Sequence, residues 1–187
     1  LALPQVPFWF LRHGETDYNA AGLSQGALDT SLNATGRAQA AIAGPMLAGR
    51  GITTIICSPM QRTRQTASII NEFLNLPVEF EPGLREVVFG GMEGKPLYPW
   101  FSEWLEGRNT PEGAESFAEV LLRVEDAMER VLTAMPGPLL IVAHGGIFRA
   151  VRDLMGLPKQ GLTRNAVPML CLPEDGNWRV EFPPEAE

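Results

Sequence analysis

The chain has 187 residues, 45% of them hydrophobic and 20% charged, with a formal net charge of −7 at neutral pH. This length suits one well-cored domain over residues 1–187, and the composition excludes a disordered or fibrous chain. The acidic balance, without any basic run, excludes nucleic acid as a partner, because a phosphate backbone is held by a clustered basic face; a small anion needs only a few arginines gathered in one pocket.

The opening "LALPQVPFWF" is apolar. It has no basic flank, is broken by Pro4 and Pro7, and is too short to span a bilayer, so neither a targeting signal nor a membrane partner is expected. "VPFWFL" reads as a buried strand that runs directly into "RHGETDYN". After a glycine-containing loop, Asn33 is placed to cap a helix through "ATGRAQAAIAGPMLAGRG", with Pro45 as a kink and Gly49 and Gly51 as stops. "TTIIC" is a second buried strand, and "SPMQRTRQTASIINEFL" a helix with Pro59 in its first turn. A short strand is expected near "VEF".

Residues 82–115, rich in Gly, Pro and aromatics, read as a lid or pocket wall with at most a short helix around "WFSEWLEG". From Ser116, Phe117, Val120, Leu121, Val124, Met128, Val131, Leu132 and Met135 recur at helical spacing, which predicts one long amphipathic helix facing the sheet. "PLLIVA" is a third buried strand, followed by "HGG" and a helix "IFRAVRDLM" stopped at Gly156. "AVPMLCL" and "NWRVEF" form a terminal strand pair. Strands alternating with helices, the strands continuously apolar, predict an α/β fold: a three-layer α/β/α sandwich with a mostly parallel central sheet. Cys57 and Cys171 lie far apart in apolar runs, which predicts buried free thiols and a reducing compartment, the cytoplasm.

In such sheets ligands collect beyond the carboxyl ends of the strands. Arg12 with His13, Ser58 with Arg62, and His144 each follow a predicted strand. The chain holds two histidines, and each is followed by glycine. A histidine nucleophile needs one bare ring nitrogen, with the other held by a hydrogen bond that a tight turn at Gly14 can supply. Arg12 and Arg62 suit bidentate grip on phosphate oxygens and would keep the imidazole neutral. His144 suits a donor to the transferring phosphoryl group, and Glu86, in the irregular segment, a proton donor to the leaving alkoxide.

"LRHGETDYN", "SPMQRTRQTA", "GLREVVFGGMEG" and "VAHGGIFR", in this order, resemble the histidine phosphatase superfamily in its phosphoglycerate-mutase-like branch. The resemblance spans residues 8–149. It implies a phosphoglycerate-mutase-like fold and a phosphohistidine enzyme in which His13 accepts the phosphoryl group. Arg12, Arg62 and His144 would then bind that group, and Glu86 would be acid and later base. It further implies that Asn19, Ser24, Gln25 and Gly26 form a phosphate and substrate loop, that Ser58 and Gly145 contribute to binding, and that no metal or other cofactor is needed. The implied partner is a small-molecule phosphate ester; a homodimer is left open.

Blander readings stand beside these. Arg64 reads as a solvated helix residue, Glu93 is divided between structure and function, Glu15 and Thr16 order the loop, and Arg149 is divided between a salt bridge and substrate contact. The tryptophan cluster reads first as core, although Phe89, Met92, Trp100 and Trp104 could line the lid. Against the mutases, Phe89 stands in place of a tyrosine and Gly146 in place of an asparagine. Met92 replaces a tryptophan usual in relatives, and the interval from Glu86 to His144 is short. Phe89, the scarcity of basic residues after Glu86, only Lys95 and Arg108, and the short interval favour a phosphomonoester hydrolase over a phosphoglycerate mutase. Met92 bears on the shape of the pocket wall and Gly146 on a second substrate contact, and the intact set of Arg12, His13, Arg62, Glu86 and His144 favours an enzyme over a silent phospho-ligand module.

Overall fold

A computed structural model of the chain describes residues 1–184. Six strands, β1 (Phe8–Arg12), β2 (Thr54–Cys57), β3 (Val78–Phe80), β4 (Leu139–Ala143), β5 (Met169–Glu174) and β6 (Asn177–Glu181), form one sheet in the order β3-β2-β4-β1-β5-β6. The first four in that order are mutually parallel, and β5 is antiparallel to both its neighbours. The terminal pair is therefore a hairpin on the edge of a parallel sheet.

Side-chain alternation along β1 sends Phe8 and Phe10 to one face and Trp9 and Leu11 to the other. The first face is covered by α5 (Phe117–Ala134) and α6 (Gly145–Leu154), the second by α2 (Ala34–Leu47) and α3 (Gln61–Leu74). Two cores on opposite faces make the expected α/β/α sandwich. The long helix starts where the sequence places it: Ser116 and Glu119 form a reciprocal capping box, and Asn33 caps α2 by accepting from Gly36 N at 2.8 Å.

Three boundaries differ from expectation. The loop after His13 contains a one-turn helix, α1 (Asp17–Ala20), closed by a capping box between Thr16 and Asn19. Pro59 lies outside α3, whose first helical N–H, that of Gln61, is taken by Asp29 Oδ1 at 2.7 Å. α6 begins at Gly145, so both glycines of "HGG" lie inside its first turn.

Residues 82–115 hold two short 3-10 turns, Pro82–Leu84 and Gly90–Met92, and one helix, α4 (Trp100–Leu105). Trp104 is fully buried among Phe89, Phe101 and Phe117, and its indole N–H donates to Glu115 O. Arg123 of α5 pairs with the Glu115 carboxylate at 2.7 Å and donates to the carbonyls of Gly83 and Arg85. One arginine thus ties both ends of the segment to the body. Among the described residues no helix is long and apolar enough to cross a membrane.

Candidate active site

β4 lies between β2 and β1, with Arg12 beside Ala143 and Cys57 beside Val142. The ladder continues one residue past both neighbours: His13 N donates to Ala143 O and Ser58 N to Val142 O, each at 3.0 Å. Because the three strands run the same way, their next residues, His13, Ser58 and His144, emerge on one rim. The two imidazoles face each other with ring centroids 5.3 Å apart.

His13 Nδ1 lies 2.7 Å from Gly14 O. A carbonyl only accepts, so Nδ1 carries the proton and Nε2 is left with its lone pair. Burial first, and the charges of Arg12 and Arg62 next, hold the His13 pKa well below the usual histidine range. Gly14 meets a second demand that the sequence did not show. A Cβ there would come within 2.4 Å of Gly36 O, so the loop and the first turn of α2 touch backbone to backbone. The Gly14 N–H donates to Thr66 Oγ1, whose own proton goes to Arg62 O.

His144 is also fully buried, and burial with the same two arginines lowers its pKa well below 6.5. Its Nε2 lies 2.7 Å from Ser58 Oγ, while Nδ1 has no partner among the described residues. Ser58 therefore holds the second histidine instead of reaching the open cleft. Arg62, completely buried, departs from the expected bidentate grip: its Nη1 and Nη2 donate to Leu28 O and Gly26 O, and Nε is left without a partner. Arg12 donates Nη1 to Thr163 O at 2.6 Å and likewise leaves Nε unpaired; burial lowers its pKa to about 10. A side chain at 145 would bring its Cβ to 3.3 Å from that Nε.

Above this floor opens a cleft of about 340 Å³ lined by Arg12, Asn19, Ser24, Gln25, Gly26, Glu86 and Gly145 of the expected residues. His13, Ser58, Arg62 and His144 are not among its lining residues, His13 being 1% exposed and the other three 0%. Ser24 Oγ is buried and unpaired. Asn19 and Gln25 are engaged within the loop: Asn19 Oδ1 accepts from Thr16 N, and Gln25 Oε1 accepts from the hydroxyls of Thr16 and Thr30. Gly26 has φ +53°, a conformation that favours glycine, and a Cβ there would strike Glu93 Oε1 at 2.5 Å. That Glu93 oxygen accepts from Ala27 N and Phe89 N, bracing loop to wall. Glu86 accepts from Val87 N at 2.9 Å and Gly146 N at 3.2 Å.

The wall differs from expectation. Phe89 lines the cleft, but Met92, Trp100 and Trp104 do not; Leu97, Tyr98, Phe101 and Leu162 do. Arg149 also lines it, with its guanidinium 4.8 Å over the Phe101 ring. Arg64 is exposed and stacks on Phe80 outside the site. Residues 163–166 were not legible as part of the site. Besides Thr163 O, which receives Arg12, Asn165 Nδ2 donates to His13 O at 3.0 Å and Ala166 N donates to Arg12 O at 2.8 Å. These contacts join residues more than 150 positions apart, and an asparagine just before a strand otherwise reads as an ordinary turn residue. Among the described residues no group of three His, Cys, Asp or Glu side chains could share a metal.

Four buried side-chain polar atoms lack a partner among the described residues: Arg12 Nε, Ser24 Oγ, Arg62 Nε and His144 Nδ1. All belong to residues expected to bind phosphate. Groups left unsatisfied in this way are costly in a folded protein, and their concentration around one histidine suits an anion with several oxygen acceptors.

Comparison with known proteins agrees. The chain is 38% identical over 162 residues to the Yersinia enterocolitica protein named "Probable phosphoglycerate mutase GpmB", covering 80% of this chain and 75% of that one. A mycobacterial glucosyl-3-phosphoglycerate phosphatase, solved with VO3, superposes with a TM-score of 0.82 at 30% identity, over 94% of this chain and 97% of that one. A second solved structure, named mycobacterial hydrolase 1, gives 0.81 at 30% identity, with 94% and 96% covered. The family model of the histidine phosphatase superfamily, branch 1, matches residues 8–175. With the paired histidines on one sheet rim, this match over most of the chain identifies it as a member of the histidine phosphatase superfamily, an enzyme of the phosphatase or mutase kind.

Proposed function

We propose that this enzyme is a phosphomonoester hydrolase that works through a phosphohistidine on His13. The observation that carries the reading is the state of His13: its Nδ1–H is held by Gly14 O, its pKa is depressed, and its Nε2 is bare. Nε2 attacks phosphorus as the ester P–O bond breaks, and Glu86 delivers a proton to the departing alkoxide. Water, deprotonated by the same carboxylate, then attacks the phosphohistidine, releasing phosphate and restoring the neutral imidazole. The Nε–H groups of Arg12 and Arg62 and the Ser24 hydroxyl, unpaired among the described residues, are in this reading the donors for the charge that develops on the phosphoryl oxygens. Ser58 Oγ accepts from Met60 N, which leaves its own proton for His144 Nε2; in this reading His144 carries its proton on Nδ1 and adds another donor.

The wall favours hydrolysis over mutation. Three residues after Glu86 stands Phe89, without a hydroxyl, packed edge-on against Trp100 and Trp104. Arg85, Lys95 and Arg108, the basic residues of the segment, do not line the cleft. The likeness to GpmB favours the mutase reading instead, and that reading requires isomerisation of 3-phosphoglycerate when primed with bisphosphoglycerate.

The test is incubation with a generic aryl phosphate, followed by a search for acid-labile phosphate on the protein. Turnover with labelling is expected. His13→Ala should abolish the label and lower turnover by roughly 10⁴–10⁶-fold, and Glu86→Gln should slow turnover by roughly 10²–10⁴-fold. No turnover and no label ends the hydrolase reading; full activity in Glu86→Gln ends the acid assignment.

A further inference from the structure

Arg149 sits on α6, one turn beyond His144, and is 8% exposed. It stands on the cleft wall with Phe89, Leu97, Phe101 and Leu162, an apolar setting in which a charge interacts strongly with any partner. Among the described residues no carboxylate lies within ion-pairing distance of it. Glu86 is the carboxylate of the same cleft whose charge reaches it, but the contacts of Glu86 are with Val87 N and Gly146 N. The immediate neighbours of Arg149 are neutral: the Tyr98 hydroxyl, the Phe101 ring, and the Lys159 carbonyl, which accepts from Nη1 at 2.9 Å. A buried guanidinium with no ion-pair partner among the described residues is costly, and one stacked on a ring and held by the Lys159 carbonyl and the Tyr98 hydroxyl is already oriented for an anion. Arg12 faces the same cleft and repels it, which a ligand with negative charge at both ends would relieve.

We propose that Arg149 is a specificity-determining residue that receives a second anionic group, a carboxylate or a further phosphate, carried on the alcohol part of the substrate. This rests on the hydrolase reading above: the floor takes the phosphoryl group to be cleaved, the apolar wall accepts the body of the alcohol, and the Arg149 fork fixes its far end. Substrates with two separated anions are thereby preferred over neutral phosphomonoesters of the same size.

Steady-state kinetics of the full chain on 4-carboxyphenyl phosphate, its neutral isostere 4-carbamoylphenyl phosphate, and phenylene 1,4-bisphosphate test this. One or both anionic esters should exceed the amide in kcat/KM by about 10–100-fold, and the ester that wins names the anion. Arg149→Met should lower kcat/KM for that ester about tenfold more than for the amide. Arg149→Lys, which keeps the charge and loses the fork, should narrow the preference without erasing it. If Arg149→Met does not fold, Arg149→Lys decides alone, and an unchanged preference in it overturns the proposal. Equal turnover of all three esters by the wild type, or an equal loss on all three in Arg149→Met, overturns it while the hydrolase reading stands. No turnover of any ester, with no phosphate on His13, overturns both.

Discussion

The floor and the wall of the cleft are held by different means. On the floor, His13, Ser58 and His144 hang from three adjacent parallel strands, and the ladder bonds to Ala143 O and Val142 O place them before any side chain contributes. On the wall, Glu86, Phe89, Tyr98 and Phe101 come from residues 82–115, where regular structure is scarce. There side chains do the holding: the Arg123–Glu115 pair, the buried Trp104, and the Glu93 carboxylate. A floor set by backbone geometry tolerates little change, whereas a wall set by packing can be rebuilt residue by residue while the chemistry beneath it stays in place.

The contrast can be broken most forcefully at Trp104. Its ring meets Phe89, Phe101 and Phe117, so Trp104→Ala should cost about 3–5 kcal/mol in urea unfolding. A cost below about 1 kcal/mol would mean that the wall is not anchored through this ring. On the floor side, Thr66→Val leaves the buried Gly14 N–H without an acceptor and should cost about 1–3 kcal/mol. It should also reduce His13 labelling, because Gly14 O orients the ring. Unchanged stability and labelling would show that the strand end alone positions the histidine.

The smallest effect separates the two regions by pH. His13 and His144 are both held well below 6.5, chiefly by burial, so below that pH the unfolded chain binds protons that the folded one does not. Stability should be fully present above pH 6.5 and fall as pH drops below it, by up to about 1.4 kcal/mol per pH unit for each histidine. Unfolding at pH 7.5, 6.5 and 5.5 checks this, and His13→Gln should flatten the slope. An identical slope in that variant removes His13 from the pH dependence and leaves it to His144 or to groups outside the floor.

Much of this floor could be read from the chain. The apolar runs of β1, β2 and β4 marked buried strands, and each histidine, followed by glycine, marked a strand end. The helical spacing of apolar residues from Ser116 marked the start of α5, and the Ser116–Glu119 capping box in the structure fixes it by local chemistry. Less of the wall was legible. Trp104 and Phe89 look alike as aromatic residues in an irregular segment and share one core, yet Phe89 also lines the cleft while Trp104 does not, because packing in the whole fold decides which ring reaches it. The division of labour within Arg62 was equally hidden, since its two Nη groups bind loop carbonyls that only the fold brings near.

What the amino-acid sequence determined by itself was local: the strands and helices, their caps, and the residue types delivered where strands end. Hydrophobic period and capping chemistry act over a few residues and leave their record in the chain. The tertiary structure decided what depends on distance. It inserted β4 between β2 and β1 so that the histidines meet, closed residues 163–166 over Arg12 and His13, and turned Arg149 into the cleft with no carboxylate in ion-pairing distance among the described residues. These outcomes follow from long-range packing and from the satisfaction of buried polar groups, in which the partners are chosen by the whole fold.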